Sequence, residues 1–264
     1  MDEPAALGSA AIEWGRPWFA PWREAGQRVA QRVAAGAPLP AALDAAGGAP
    51  VRFVAAGALP EGEPYERHIF ERGECPTREN LHDFFNGLCW IVLPRSKRRL
   101  NELQAAEIAQ GGVGAVRGPV RDAITVFDEN GAVLQAPPAL WQALLARQWR
   151  LLFVELRPLW RQARLLVFGH ALLEKLVRPR KDLTAHVWAE AAPEGGTEAI
   201  DAWLALQLAP ARLAAKPFTP LPVLGLPGWW PENENFSFYD DSLVFRAARA
   251  QELKTTRRAA APRP

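Results

Sequence analysis

The stretch CPTRENLHDFFNGLCWIVLPRSKRRLN, residues 75–101, is the most informative part of the chain because it predicts a helix with two unlike faces. Apolar residues recur there at helical spacing and form one continuous stripe: Leu81, Phe84, Phe85, Leu88 and Val92. Pro76 and Thr77 are typical of a helix start, and Pro94 is typical of a helix end. The sequence therefore predicts a largely buried helix over residues 76–93.

A polar edge runs along the same predicted helix. At about 100° per residue, Arg78, His82 and Asn86 lie one turn apart beside the apolar stripe. A helix that only had to pack would more often carry Glu, Lys or Ala at such positions. We therefore expect this edge to form hydrogen bonds, with Arg78 and Asn86 as candidate substrate-binding residues.

Four motifs resemble one known family. They stand in the same order over residues 51–246 and read NLHDFFNGLCWIVLPRSKRRLNELQ (80–104), RDAITVFDENG (121–131), LVFGHALLEKL (166–176) and PVLGLPGWWPENENFSFYDDSLVFR (222–246). Together they are similar to an uncharacterised bacterial family catalogued as domain of unknown function 3025. The resemblance implies no activity, so the functional predictions rest on the residues themselves.

Composition favours a globular protein. The 264 residues are 49% hydrophobic and 23% charged, which is enough apolar material for a substantial core. Aromatic residues crowd the start of the chain, so residues 1–50 are predicted to form a helical segment that docks onto a main domain. That main α+β domain is expected over residues 51–250, followed by a disordered basic tail over 251–264.

Several classes of protein are disfavoured. Two cysteines in no metal-type pairing, Cys75 and Cys89, fit a reducing compartment, and the acidic N-terminus does not resemble a signal peptide. No apolar run is long enough for a membrane span. We therefore expect a soluble cytoplasmic protein. A net charge of +2 makes nucleic acid an improbable partner, and the basic run 95–99 is expected to be a solvated face.

The remaining pattern predicts an α+β fold, mostly helical, with a small antiparallel hairpin or sheet in a single compact domain. A hairpin is expected from a β-rich run over 123–127, a turn at Asp128–Gly131 and a strand over 132–134. In this interpretation Asp128 bonds the turn backbone. Further elements are predicted as strands at 51–54, 65–70 and 183–188, and as helices at 23–35, 100–110, 140–155, 159–177 and 198–208.

The predicted helix over 159–177 places two ionisable residues on its inner side. His170 and Glu174 lie one turn apart among apolar residues, so both should be partly buried. They could form an oriented acid/base pair or share a metal ion. In the alternative interpretation, Glu174 pairs with Arg78 or Arg121 and His170 bonds a backbone carbonyl.

His82 could join this pair from the other helix. His82, His170 and Glu174 would then supply three ligands to a divalent metal, with Asp122 as a fourth ligand or an orienting partner. Without metal, the four residues remain candidates for catalysis by acid/base chemistry.

Two functions follow from one central polar cluster. The first is an acid/base or hydrolytic enzyme that acts on a small molecule. The second is a binding or scaffold module in which the cluster is a buried structural network, and which acts through basic and Trp-rich surfaces. Access distinguishes them, because a catalytic cluster must open to a pocket. The sequence does not indicate an oligomeric state.

Overall fold

The computed structural model describes residues 12–112 and 118–248. Its α-helices are α1 (Arg23–Ala34), α2 (Leu39–Asp44), α3 (Tyr65–Arg72), α4 (Leu81–Val92), α5 (Pro94–Gly111), α6 (Pro119–Asn130), α7 (Pro138–Leu145), α8 (His170–Lys175), α9 (Thr197–Gln207) and α10 (Pro210–Ala214). Its strands are β1 (Arg52–Ala55), β2 (Glu74–Thr77), β3 (Gly131–Gln135), β4 (Arg164–Val167), β5 (Thr184–Trp188) and β6 (Phe218–Pro222). The fold is a single α+β domain dominated by helices, as the sequence predicted.

The larger sheet has four strands in the order β4-β3-β5-β6. The β3–β4 and β5–β6 pairs are antiparallel, whereas β3 and β5 are parallel. Both faces of β3 are buried, so the sheet lies inside the domain and helices cover it. A second, two-stranded sheet pairs β1 with β2 in parallel.

The helix predicted over 76–93 starts later than expected. Residues Glu74–Thr77 form β2 and pair with β1, so the start predicted at Pro76 and Thr77 is wrong. The helix begins at Leu81, where Oδ1 of Asn80 accepts a hydrogen bond from the backbone N–H of Asp83 at 2.8 Å. Asparagine is a preferred N-cap residue for this reason.

The N-terminal aromatic residues reach the core. Trp18, Phe19 and Trp22 are fully buried, and the ring of Phe19 stacks on that of Phe85 in α4 at a centroid distance of 5.7 Å. A domain division at residue 50 stays a prediction. Residues 1–11 and the tail predicted over 251–264 lie outside the described residues.

The strand predicted over 132–134 lies within β3, but the rest of the predicted hairpin is wrong, because residues 119–130 form α6. Its β-branched residues favour a strand locally, but a stronger helical pattern overrides that preference. Val120, Ala123, Ile124 and Phe127 recur at helical spacing and are all buried. Gly131 ends this helix with φ −70° and opens β3, so the Asn-Gly pair makes no left-handed turn.

The helix predicted over 159–177 is also wrong. This segment instead forms the end of a 3-10 helix (Arg157–Gln162), strand β4 and the short helix α8. The apolar residues of β4 pair with β3 instead of continuing a helix. At Gly169 the chain passes so close to α6 that a Cβ atom would lie 2.4 Å from the backbone oxygen of Glu129. This approach places His170 beside the end of α6.

Two further element predictions are wrong. Residues 65–70, predicted as a strand, belong to α3, whose helix ends at Gly73 in a left-handed conformation (φ 65°). The helix predicted over 140–155 ends at Leu145, and a π-helical turn follows at Leu151–Glu155. Across the described ranges, no helix is both long and apolar enough to cross a membrane.

Candidate functional site

A cavity of about 560 Å³ lies among α3, α4, α5, α6 and the start of α8. This volume is in the range of small-molecule sites. The polar edge predicted on α4 faces it, since Arg78, His82 and Asn86 all line its wall. The central polar cluster therefore opens to a pocket.

Two imidazoles meet at the wall of this cavity. Nε2 of His82 lies 3.0 Å from Nε2 of His170, and the two rings are nearly perpendicular with centroids 4.5 Å apart. His82 comes from the first turn of α4, whereas His170 is the first residue of α8. Two ring nitrogens facing each other at this distance can share one proton or one metal ion.

Glu129 adds a third ligand atom to the histidine pair. Its Oε2 lies 3.7 Å from Nε2 of His170, and one ligand atom from each of His82, Glu129 and His170 lies within 4.8 Å of the others. Ligand atoms held about 2.1 Å from a tetrahedral ion lie about 3.4 Å apart. The spacing therefore suits one metal ion bound by two histidines and one carboxylate, with small side-chain movements.

A second carboxylate lies behind each imidazole. Nδ1 of His82 is 3.0 Å from Oε2 of Glu174, and Nδ1 of His170 faces Oδ2 of Asp128 at 3.7 Å. In metal sites the ring nitrogen that does not bind the ion commonly donates to such a carboxylate, which fixes the tautomer and the ring orientation. Glu174 is thus placed as a partner of His82 and not as a member of the ligand cluster.

A buried ammonium group lies next to Asp128. Nζ of Lys97, whose residue is only 5% exposed, donates to Oδ1 of Asp128 at 2.6 Å and to Oδ1 of Asn86 at 2.9 Å. It also lies 5.6 Å from the centre of the Trp90 ring, in cation–π contact. Lys97 was predicted to lie on a solvated basic face, which is wrong because this network holds it inside.

The surroundings shift the pKa of both histidines. The hydrogen bond to Glu174 raises the pKa of His82 above its ordinary value. Burial lowers the pKa of His170 to about 3, so this ring is neutral near pH 7 and keeps a nitrogen lone pair. A neutral imidazole is the form that binds metals.

The lysine–aspartate pair stays ionised despite its burial. Desolvation opposes the charge of Lys97, but the acidic groups around it, Asp128 foremost, together outweigh it and raise the pKa of Lys97 overall. Desolvation likewise opposes ionisation of Asp128, but Lys97 lowers the pKa of that carboxyl below its usual value. Burial raises the pKa of Glu129, which lacks such a cation at contact distance within the described ranges.

The structure brings together most of the residues predicted for the site. His82, His170 and Glu174 are joined by short contacts, and Asn86 reaches them through Lys97. The alternative interpretation, in which Glu174 pairs with Arg78 or Arg121, is wrong, since Glu174 contacts His82.

Arg78 and Asp122 lie outside the ligand cluster. Nη2 of Arg78 donates to Oδ1 of Asp83 at 2.8 Å at the cavity wall. Asp122 is not part of the cavity wall; it forms a surface ion pair of 2.6 Å with Lys216. It lies in the first turn of α6 instead of at the entrance of a strand.

Three residues of the site were not among the candidates: Lys97, Asp128 and Glu129. Asp128 and Glu129 were assigned to a turn because the sequence DENG resembles one. Had residues 119–130 been taken as a helix, Arg121, Thr125 and Asp128 would have appeared as a polar face at helical spacing. That signal was available in the sequence.

The fold and the site define an α+β protein with a two-histidine, one-carboxylate cluster at the wall of a cavity. The family model described as protein of unknown function (DUF3025) matches residues 51–249, and the chain belongs to this family. No curated protein and no solved structure matches the chain. All three residues of the cluster lie within the matched range.

Proposed function

We propose that this protein is a metal-dependent hydrolytic enzyme that acts on a small molecule, with His82, Glu129 and His170 as the ligands of a divalent cation. The observation that carries the proposal is the convergence of these three ligand atoms within 4.8 Å beside an open cavity. Two histidines and one glutamate form a known ligand set of catalytic zinc, which keeps a fourth position for water.

The two outer carboxylates support this assignment. The contact of Nδ1 of His82 with Glu174 at 3.0 Å holds that ring with Nε2 toward the cluster, and Asp128 lies 3.7 Å from Nδ1 of His170, near enough to accept from it after a small movement. A structural network has no need to direct both Nε2 atoms toward one point next to a third ligand. A divalent cation held by His82, Glu129 and His170 would lower the pKa of a water molecule and so supply a nucleophile at neutral pH.

Lys97 is proposed to stabilise the transition state. An ammonium group has three N–H donors, and two of those of Lys97 bond Asn86 and Asp128. Because Lys97 lines the cavity, the third can reach an oxygen atom of the substrate. A fixed cation at a site with little water stabilises negative charge that develops on such an oxygen. Asn86 then acts by holding Lys97, and Asp122 has no part in the proposal.

A cytoplasmic location remains part of the proposal. Both cysteines are free and buried, which fits the reducing conditions of the cytoplasm. The basic run 95–99 carries little unpaired charge for nucleic acid, since Lys97 is buried and the three arginines contact Glu198 or Glu102. A small-molecule substrate fits the cavity better than a polymer does.

Elemental analysis of protein purified without a metal-affinity tag tests the metal site. We expect about one zinc, or another divalent transition metal, per chain, and its loss in His170→Ala and in Glu129→Gln. His186→Ala and Glu102→Gln are matched controls, since they remove an imidazole and a carboxylate outside the cluster, and should retain the metal. Glu174→Gln keeps every ligand and should weaken metal affinity by about 10–100-fold.

Two measurements on the wild-type protein together would contradict the proposal. These are the absence of metal in the purified protein and a melting temperature that does not change with added zinc or manganese. The cluster would then be a structural network, and a binding or scaffold module would become the better interpretation.

A further inference from the structure

The cavity has two ends about two helical turns apart. Lys97, near the start of α5, contacts Asp128, near the end of α6. At the opposite end, Nη1 of Arg121 donates to the backbone oxygen of Gly112, just past α5, at 3.3 Å. The helices are therefore antiparallel. Arg121 lies about 10 Å along α6 from Asp128, at 1.5 Å per residue.

The cation at the far end differs from the other two that line the cavity. Arg78 is paired with Asp83, and Lys97 with Asp128. Arg121 contacts no carboxylate within residues 12–112 and 118–248, and its buried Nε has no hydrogen-bond acceptor. A buried donor without an acceptor is costly. In a guanidinium group, Nε and one Nη can together donate two parallel hydrogen bonds to one carboxylate.

A second polar group at this end is also unsatisfied. Gln104 lies two turns after Lys97 on α5, which places it at the Arg121 end of the cavity. Its Oε1 is buried and has no partner among the described residues. Rotation of the amide by 180° exchanges this oxygen for the NH₂ group. Gln104 can therefore donate to an anion bound by Arg121.

The wall between the two ends carries both apolar and polar side chains. Leu100 and Ile124 line it about one turn from the Lys97 end, and Asn101 and Thr125 line the same stretch. The two apolar side chains favour an aliphatic segment of a ligand at this level and disfavour charge. The arrangement is thus polar at the ligand cluster, mixed along the middle and cationic at Arg121.

We propose that the substrate is an elongated organic anion, with a carboxylate that binds Arg121 and Gln104, an apolar middle, and a hydrolysable group at the metal. This inference rests on the proposed function for its metal end alone. The carboxylate would supply the acceptor that Nε of Arg121 lacks. Arg121 is a binding residue here, since it lies too far from the ligand cluster to take part in the chemistry.

Calorimetric titration of the zinc-loaded full chain with simple carboxylates tests the proposal. Suberate is the main probe, because its extended length is close to the separation of the two ends. Octanoate has the same chain with one carboxylate, and glutarate has two carboxylates that are too close together. We expect suberate to bind at least about tenfold more tightly than octanoate, as a charge-assisted hydrogen-bonded pair would give, and more tightly than glutarate.

Variants of Arg121 identify the site of the second carboxylate. Arg121→Gln should remove the advantage of suberate over octanoate, whereas Arg121→Lys should keep part of it. Arg98→Gln, on the exposed side of α5, is the matched control and should bind both probes as the wild type does. Equal affinity for suberate and octanoate in the wild type, or an unchanged preference in Arg121→Gln, would overturn the inference.

Metal content separates this inference from the proposed function. Zinc is measured first on every sample, and Arg121→Gln should hold as much as the wild type, because no ligand is altered. If zinc binds but suberate has no advantage, the substrate inference is wrong and the metal site stands. If wild-type protein binds no zinc, the metal site and the metal end of the proposed substrate are wrong.

Discussion

Two histidine–glutamate clusters in this molecule use the same residue types in different ways. His68 in α3 is fully buried, with Nδ1 3.1 Å from Glu63 and Nε2 3.7 Å from Glu74. Each of these carboxylates also contacts an arginine, Arg72 or Arg52. This first cluster, which we call the sealed cluster, lies outside the cavity wall.

The second cluster, His82, Glu129 and His170, is open. It holds two imidazoles whose Nε2 atoms lie 3.0 Å apart. Glu129 contacts no arginine or lysine in the described part of the chain. Side chains of His82 and Glu129 are 26% and 34% exposed, so solvent and ligands can reach them. The comparison teaches that residue type does not decide function. The two clusters differ in that both carboxylates of the sealed cluster contact an arginine, and that only the open cluster lines the cavity.

The largest stability effect is expected at the border of the open cluster. Lys97→Met leaves Asp128 buried without its cation, which should lower the free energy of unfolding by about 3 kcal/mol or more. Denaturant unfolding measures this change. The double variant Lys97→Met/Asp128→Asn should recover part of the loss, because it leaves no unpaired charge. A single-variant loss below about 0.5 kcal/mol would show that the pair is not buried as described.

Removal of His68 tests the sealed cluster. His68→Ala creates a cavity and removes a partner of Glu63, so stability should fall by about 2 kcal/mol. Zinc content should stay at the wild-type value, in contrast to His170→Ala. Both quantities are measured on the same preparations. Loss of zinc in folded His68→Ala protein would contradict the division into sealed and open clusters.

Gly169 tests the geometry of the open cluster without removal of a ligand. A methyl group in Gly169→Ala would meet the backbone of Glu129 and Asn130, so α8 must move away from α6. We expect a loss of about 1–3 kcal/mol in stability and zinc affinity weaker by about tenfold or more, because His170 shifts from Glu129. Gly57→Ala, where the added Cβ contacts nothing within 4 Å, is the control.

Unchanged zinc affinity in Gly169→Ala would count against the ligand assignment. Because Gly169→Ala retains all three ligands, a change in zinc affinity would come from the position of His170 and not from the loss of a ligand. A calorimetric titration with zinc, together with thermal melting of the same samples, gives both values.

The smallest effect is expected at Cys75, next to the sealed cluster. Burial raises the pKa of its thiol to about 12, and the thiol contacts the hydroxyl of Tyr65 at 3.2 Å. Because the thiolate is the reactive form, native protein at pH 8 should scarcely react with a thiol reagent. Two equivalents should react after denaturation. Rapid labelling of Cys75 in folded protein would show that this region opens.

Local patterns predicted part of the fold. The apolar stripe of α4, the strand at β5 and the helix at α9 were found because their periodicity and their packing agree. The predictions for the segments 119–130 and 159–177 were wrong because the local secondary-structure propensity there disagrees with the way the segment packs in the fold. The strand-like residues of α6 pack as a helix, and the helix-like residues of β4 complete a sheet whose other strands lie far along the chain.

Part of the candidate site was likewise predicted from the sequence. The meeting of His82 with His170 and Glu174 was expected from their polar character on apolar helices. The sequence did not indicate that Glu129, and not Glu174, is the third member of the open cluster, because this depends on how closely Gly169 approaches α6. Contacts between distant segments of that kind leave no local pattern in a sequence.

The central claim is that His82, Glu129 and His170 bind one divalent cation. X-ray absorption at the zinc edge of the stoichiometric zinc protein tests it most directly. The account predicts two imidazole ligands and further oxygen ligands, all at about 2.0–2.2 Å. Sulfur ligands at about 2.3 Å, or a spectrum without imidazole scattering, would contradict it.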